Sequence, residues 1–284
     1  MKTRNIILTL LMFAGIALLS TSCKKDETSD PQNVQANDDE LTITKDDALA
    51  DQLFSEVTDI TNEAMGGPNN LLKEVVLDTI FMGPCVTVTI DTLGFPFTIT
   101  IDFGEVNCLC HDGKYRRGKI LVEHTGPYWA AGTVVTTTFD DYFVNDNQLL
   151  GTKIVTNAGF NSQNNMTWTI QVDGQVIKAD GGVVTWVGDR MREWVEGAGT
   201  PMRWDNVYLI TGTHTIEASN GNTMTATITQ ALEVALNCHW IRSGEVEFQH
   251  SLFPLVILNY GDGNCDNQAT VTINGVSYDI TLRH

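Results

Sequence analysis

From Glu74 onward, apolar residues keep returning at every second position, and that period of two confines most of the chain to β-strands. The last hairpin shows it most plainly. Val271 and Ile273 lead into Asn274-Gly275, a two-residue turn whose twist matches that of its flanking strands, and Val276, Tyr278, Ile280 and Leu282 resume the alternation. Met166, Trp168, Ile170 and Val172 alternate in the same way, and Asp173-Gly174 predicts a further type I′ turn before QVIKADGGVVTWV. Other turn signals, among them Gly94, Asp112-Gly113, Asn145-Asp146-Asn147, Gly181-Gly182 and Asn220-Gly221, divide the region into about fourteen strands. Thr-rich runs such as TVVTTTF and TMTATITQ suit strands with one wet face. The expectation for residues 70–284 is therefore a mainly β domain, a large antiparallel sheet folded as a sandwich, roll or partly open barrel. LLGTKIVTNAG and LITGTHTIEASNG echo each other without establishing a repeat period.

One stretch breaks the period. Leu49, Leu53, Phe54, Val57, Ile60 and Ala64 recur at three- and four-residue spacing, which predicts an amphipathic helix over residues 44–66. Thr44 with Asp47 supplies a capping box with Asp in place of Glu, and Met65-Gly66-Gly67-Pro68 ends the helix. Its apolar stripe should pack on the β domain. Asp46, Asp47, Asp51, Glu56, Asp59 and Glu63 occupy the opposite face, which rules against docking on an anionic membrane.

The chain's first segment reads as an address. Lys2 and Arg4 precede fourteen residues, IILTLLMFAGIALL, that are apolar apart from Thr9, so residues 1–22 have the layout of a secretory signal peptide. A helix needs roughly 20 apolar residues to span a bilayer, and this run is shorter. Leu19, Ser20, Thr21 and Ser22 directly before Cys23 resemble the lipobox of bacterial lipoproteins, which implies a diacylglycerol on the Cys23 sulfur and cleavage just before it. Lys24, Lys25, Asp26 and Glu27 resemble the export signal of surface lipoproteins of the Bacteroidetes type, which implies an outer-membrane protein facing the cell exterior rather than the periplasm. Residues 23–43 then form a polar tether with no periodicity.

Charge narrows the partners. Removing residues 1–22 takes away Lys2 and Arg4 and no acid, so 15 bases face 35 acids, a net charge near −20. Nucleic acid needs a basic footprint, and this chain has none. The lipid supplies the membrane attachment, and a glycan or another envelope protein remains a compatible partner. Five cysteines follow Cys23, and thiols in an oxidising envelope tend to pair. Cys238 and Cys265 suit a bridge between neighbouring strands, and Cys85 can reach Cys108 or Cys110 across a hairpin. A soft-metal site built from CLCH (residues 108–111) with Cys238-His239 is the competing reading, and disulfides are favoured over it. Asp262, Asn264 and Asp266 fall at i, i+2 and i+4, the first ligand positions of a calcium loop. The match then fails, because Asn267 stands where such a loop needs Gly and Ile273 where it needs a bidentate acid. A plain turn between strands is the simpler reading, with calcium as the alternative.

Tryptophan suggests a ligand surface. Trp168 and Trp186 fall at alternating strand positions and read as core, whereas Trp194 and Trp204 flank GAGTPMR in a charged stretch, with Arg192 and Arg203 as a polar rim. No G-x-S-x-G, H-E-x-x-H, S-x-x-K or P-loop is present, and none of the six histidines sits in a triad context. The whole chain resembles the uncharacterised β-rich lipoproteins common in Bacteroidetes, on the signal and Cys23, the acidic helix, DGKYRRGKI, and LNYGDGNCDNQATVTINGVSYDITL. The resemblance implies location and architecture. The sequence thus points to a lipid-anchored envelope protein with a binding or assembly role, with a surface glycan-binding module and a carboxylate-based hydrolase as alternatives.

Overall fold

The computed structural model of the chain describes residues 31–64, 81–91, 94, 96–200, 202, 204–250 and 254–282. The signal segment, Cys23 with the tether through residue 30, Met65-Gly66-Gly67-Pro68 and Arg203 lie outside the described residues. One helix, α1 (Pro31–Ala64), precedes fourteen strands. The first four are β1 (Thr87–Asp91), β2 (Phe97–Asp102), the two-residue β3 (Cys108–Leu109) and β4 (Tyr115–His124). Five long strands form the middle: β5 (Val134–Val144), β6 (Asn147–Phe160), β7 (Met166–Ile177), β8 (Val183–Glu196) and β9 (Val207–Glu217). The last five are β10 (Thr223–Ala235), β11 (Ile241–Gln249), β12 (Val256–Asp262), β13 (Gln268–Ile273) and β14 (Val276–Thr281).

All fourteen belong to one antiparallel sheet, in which each strand pairs with its sequence neighbours and β3 alone steps aside to pair with β4. The sheet is open, with β1 and β14 as its edges. It is nonetheless curved, because α1 touches β2 and β13 near the two edges as well as β7, β8 and β9 in the middle. The sheet wraps around the helix. That is the partly open barrel or roll among the expected shapes, with a helix where a sandwich would have its second sheet.

Glycines inside the strands make the wrapping possible. Gly174 lies within β7 opposite Gly151 of β6, and a Cβ at Gly174 would sit 2.3 Å from the Phe54 ring. Asp173-Gly174 is therefore not the expected hairpin turn. The glycine clears space for the helix, and β7 runs straight through it. Gly151 and Gly212 take φ of 103° and 130°, conformations that an L side chain rarely adopts, and a Cβ on either would meet the neighbouring strand's backbone at 2.2 and 2.3 Å. The true turn is Asn274-Gly275, whose φ values of 52° and 77° are both left-handed, as a type I′ hairpin requires.

The helix departs most from expectation. It begins at Pro31 rather than near Thr44, so part of the expected tether is helical. Tertiary contact is the reason: Glu40 and Ile43 are fully buried against the sheet, and Asn220 Nδ2 donates to the Asp39 carbonyl at 3.2 Å. Thr44 sits inside the helix, where its hydroxyl donates to the Leu41 carbonyl at 3.1 Å instead of capping an end. Of the apolar stripe, Leu53, Phe54, Val57, Ile60 and Ala64 are buried and Leu49 is half-buried. Each fully buried large side chain contributes roughly 1.5–3 kcal/mol. On the acidic face Asp46, Asp47, Asp51, Asp59 and Glu63 are buried as well, and Glu56 partly so.

Candidate binding cavity and the ionic seam beside it

The strands that enclose α1 present bases toward its acids. Asp46 accepts from Lys178 Nζ at 2.9 Å and from the Ser219 backbone N–H at 2.8 Å. One turn on, Asp51 pairs with Arg190 Nη1 at 2.6 Å. Glu56 holds Arg116 Nη2 at 3.1 Å and Lys114, while Asp112 grips the same guanidinium with both oxygens, at 2.8 and 2.7 Å. Asp59 pairs with Arg192 Nη2 at 3.1 Å, and Glu63 takes the backbone N–H groups of Phe81 and Met82 at 3.1 and 3.2 Å. At 1.5 Å per residue, these contacts run for about 25 Å along the helix.

Asp47 is more constrained. It accepts from Trp186 Nε1 at 3.2 Å and from His214 Nε2, while Arg190 Nη2 stands 3.1 Å from His214 Nδ1. A guanidinium can only donate, so Nδ1 must be the acceptor and the imidazole proton sits on Nε2, facing Asp47. The His214 ring stacks on Trp186 at 4.5 Å between centroids, which fixes its plane. Gly151 with Lys153, and Gly212 with His214, each place a positive-φ glycine two residues before an inward base. The sequence echo between these two strands is this shared device.

Lys153 has no carboxylate against it. It donates to the Phe54 carbonyl, and burial, with Arg192 nearby, pushes its ammonium down to about 7. Glu40 is its counterpart among the acids. Among the described residues neither oxygen has a hydrogen-bond partner, and burial, with Asp39 beside it, raises the carboxyl to about 7.

This seam absorbs two of the residues expected to face a ligand. Arg192 is buried between Asp59 and the Tyr208 ring, 3.5 Å below its guanidinium carbon, and is not a surface rim. Trp194 is only 8% exposed and packs with Trp129, Trp168 and Tyr208 at 5.9–6.5 Å between centroids. It belongs to the core, as do Trp168 and Trp186. The strand's own parity carries this signal: Val184, Trp186, Arg190, Arg192 and Trp194 share one face of β8, so the arginines had to point where the tryptophans point.

Trp204 is 42% exposed beside an opening. The opening is a cavity of about 270 Å³ between α1 and the β10–β12 part of the sheet. Its helix wall carries Asp51, Gln52, Ser55, Glu56 and Asp59, positions three and four apart on one side of α1. Its sheet wall is apolar, with Val234, Leu236, Ile241 and Trp240. Tyr260 also lines the cavity; its hydroxyl is buried and, among the described residues, has no hydrogen-bond partner. Burial, followed by Asp47 and Asp51, holds that phenol well above its usual range, so it stays protonated.

Cysteine chemistry frames the same wall. Cys238 lines the cavity and is bridged to Cys265, which ties the β10–β11 turn to the β12–β13 loop at 5.6 Å between Cα atoms. Cys85 pairs with Cys108, and Cys110 is left as a buried thiol donating to the Cys108 carbonyl at 3.7 Å. With Cys108 and Cys238 oxidised, the CLCH and Cys238-His239 reading loses two of its three sulfur ligands. Asp262, Asn264 and Asp266 all border a second recess of about 340 Å³ that also touches Tyr260. Asn264 Nδ2 donates to Asp262 at 2.8 Å, Asp266 accepts from the Gln268 N–H at 2.9 Å, and among the described residues no group of three or more His, Cys, Asp or Glu is placed to hold a metal.

Of the residues lining this cavity, the sequence singled out Trp204; Trp240 and Tyr260 come from separate segments that the curl of the sheet brings beside it. No helix among the described residues is long and apolar enough to cross a membrane. No family model matches the chain, and no curated protein or solved structure matches it.

Proposed function

We propose that this chain is a lipid-anchored envelope protein, held by acylated Cys23 on the outward face of the outer membrane, that captures a ligand in the cavity beside α1. The observation that carries the binding role is the cavity itself, about 270 Å³ between α1 and an apolar part of the sheet, with the Trp204 indole 42% exposed beside it. The apolar sheet wall with a few convergent polar groups is the usual make-up of a small-molecule site. A hydrolase has less support, because Asp51, Glu56 and Asp59 are each committed to a base and none is left as a free acid–base pair.

Two measurements test the proposal. Cys23→Ser should move the protein from the detergent phase to the aqueous phase on phase partitioning, and an unchanged partition overturns the lipid anchor. Ser55→Trp should fill the cavity and abolish the thermal stabilisation given by any small molecule found in a screen. Stabilisation equal to that of the parent protein overturns the cavity as the binding site.

A further inference from the structure

We infer that the open edge of β14 takes up an extended, basic segment of a partner protein as an added strand; this does not depend on the cavity beside Trp204. β14 pairs with β13 on one side only. The two-residue turn Asn274-Gly275 makes Ile273 and Val276 a hydrogen-bonded pair, and the Leu282 N–H donates to the Asn267 carbonyl at 2.8 Å, so Val276, Tyr278, Ile280 and Leu282 aim their backbone groups at β13. Ser277, Asp279 and Thr281 therefore turn their N–H and C=O groups to the other side, and among the described residues no backbone group meets them there. A row of such groups is a template for one more strand.

The surroundings of this edge say what kind of strand fits. Along it lies a recess of about 540 Å³, bounded by Ile280 and Leu282, by Ala48 and Leu49 of α1, and by Lys178 and Asp180 of the β7–β8 turn. Side chains that an added strand points toward α1 would meet this apolar floor, so every second residue should be apolar. Its other face would lie beside Asp279, which also borders the recess that holds Asp262 and Asp266. Asp279 accepts from Thr270 Oγ1 at 3.3 Å, and among the described residues no base pairs with it, with Asp262 or with Asp266. A lysine or arginine opposite Asp279 supplies the missing charge.

A second copy of this chain fits poorly. The two-fold register that pairs all three outward residues of β14 with their equivalents sets Asp279 opposite Asp279, and like charges directly opposite destabilise a ladder, here between two acidic chains. The other edge of the sheet is a weaker candidate. Thr87, Thr89, Ile90 and Asp91 of β1 are all exposed, so a strand added there would bury little.

The test uses the full-length protein in detergent and three labelled peptides followed by fluorescence anisotropy: VKVKVKVK, VEVEVEVE, and VKVKVKVK N-methylated at its lysines, which keeps the charge and removes the N–H groups that would face β14. VKVKVKVK should bind, and the other two should bind roughly tenfold more weakly or not at all. Its binding should slow hydrogen exchange at the Ser277, Asp279 and Thr281 amides. Asp279→Asn should weaken it severalfold, and Thr281→Pro, which removes one outward N–H and leaves the β13 ladder intact, should abolish it without moving the thermal midpoint. Should that midpoint fall, hydrogen exchange and Asp279→Asn decide. Equal binding of the N-methylated peptide, or binding that survives Thr281→Pro, reduces the contact to charge and overturns the added strand. Preference for VEVEVEVE, or no binding of any peptide, overturns the basic segment. Slow exchange of the three amides without peptide also overturns it: in a protein that sediments as a monomer the chain covers its own edge, and in a dimer that Thr281→Pro dissociates a second copy does.

Discussion

The two flanks of α1 are built on different principles. Toward β4–β9 the helix is held by buried charge, with Asp47, Asp51 and Asp59 each meeting a base that points inward from a strand. Toward β10–β12 it is held more loosely, and the wall that leaves the cavity open is tied by the Cys238–Cys265 bridge rather than by ion pairs to the helix. A buried ion pair adds little net stability over an apolar pair of similar shape, but it tolerates only one alignment. The ionic flank therefore sets the rotation and height of the helix, and the other flank is free to leave room for a ligand.

The largest expected effect breaks the ionic flank. Asp51→Ala leaves Arg190 buried without its carboxylate and should cost about 3–5 kcal/mol in urea unfolding, whereas Asp51→Leu with Arg190→Met should recover most of that loss. If the single substitution is nearly neutral, the two flanks do not differ as described. Next comes the covalent clip on the open flank. Replacing both Cys238 and Cys265 by Ser removes a bridge spanning 27 residues and should lower stability by roughly 3–4 kcal/mol. The same change should weaken ligand capture, since Cys238 is part of the cavity wall.

A smaller effect separates the paired acids from the unpaired one. Glu40 has a folded value of about 7 against an ordinary 4.5, so folding favours its protonated form. Its contribution is present in full below about pH 4.5 and is lost as the pH rises through 7. Glu40→Gln should remove that slope, which denaturant midpoints measured from pH 4 to 8 would detect. The smallest effect belongs to the rim: Trp204→Ala should change stability by no more than about 0.5 kcal/mol, because the indole is exposed and outside the seam. A larger loss would move Trp204 from the ligand side of the comparison to the structural side.

Much of the sheet was legible before any coordinates, for a reason that also explains what was not. Alternation and turn chemistry are local, so Asn274-Gly275, the strand count and the burial of Trp168 and Trp186 could be read directly. Asp173-Gly174 has the composition of a turn, but what it accommodates is the Phe54 ring, more than a hundred residues earlier in the chain. The burial of the acidic helix face was not legible for the same reason. Its periodicity reveals two faces but not that a curled sheet would enclose both, and charge opposite an apolar stripe ordinarily means water. The cysteine pairs were half legible: Cys238–Cys265 followed from neighbouring segments, while the choice of Cys108 over Cys110 for Cys85 needed the geometry. The cavity was hardly legible at all, since α1, the β10–β11 turn and β12 meet there only after the sheet closes on the helix.

The neighbour-to-neighbour order of the strands has a kinetic consequence. A meander can grow by adding each hairpin to the last, with short loops to close at every step. The helix contacts belong to another scale. Arg116 lies 60 residues from Glu56, Arg192 lies 133 from Asp59, and His214 lies 167 from Asp47. Helix capture thus requires long chain closures that the ribbon of strands does not, and each one strips water from a charge before its partner is aligned. The rate-limiting event in folding should be the closing of a preformed ribbon around α1, and substitutions in the ionic seam should appear mainly in the unfolding rate, while those in the hairpin turns slow folding itself.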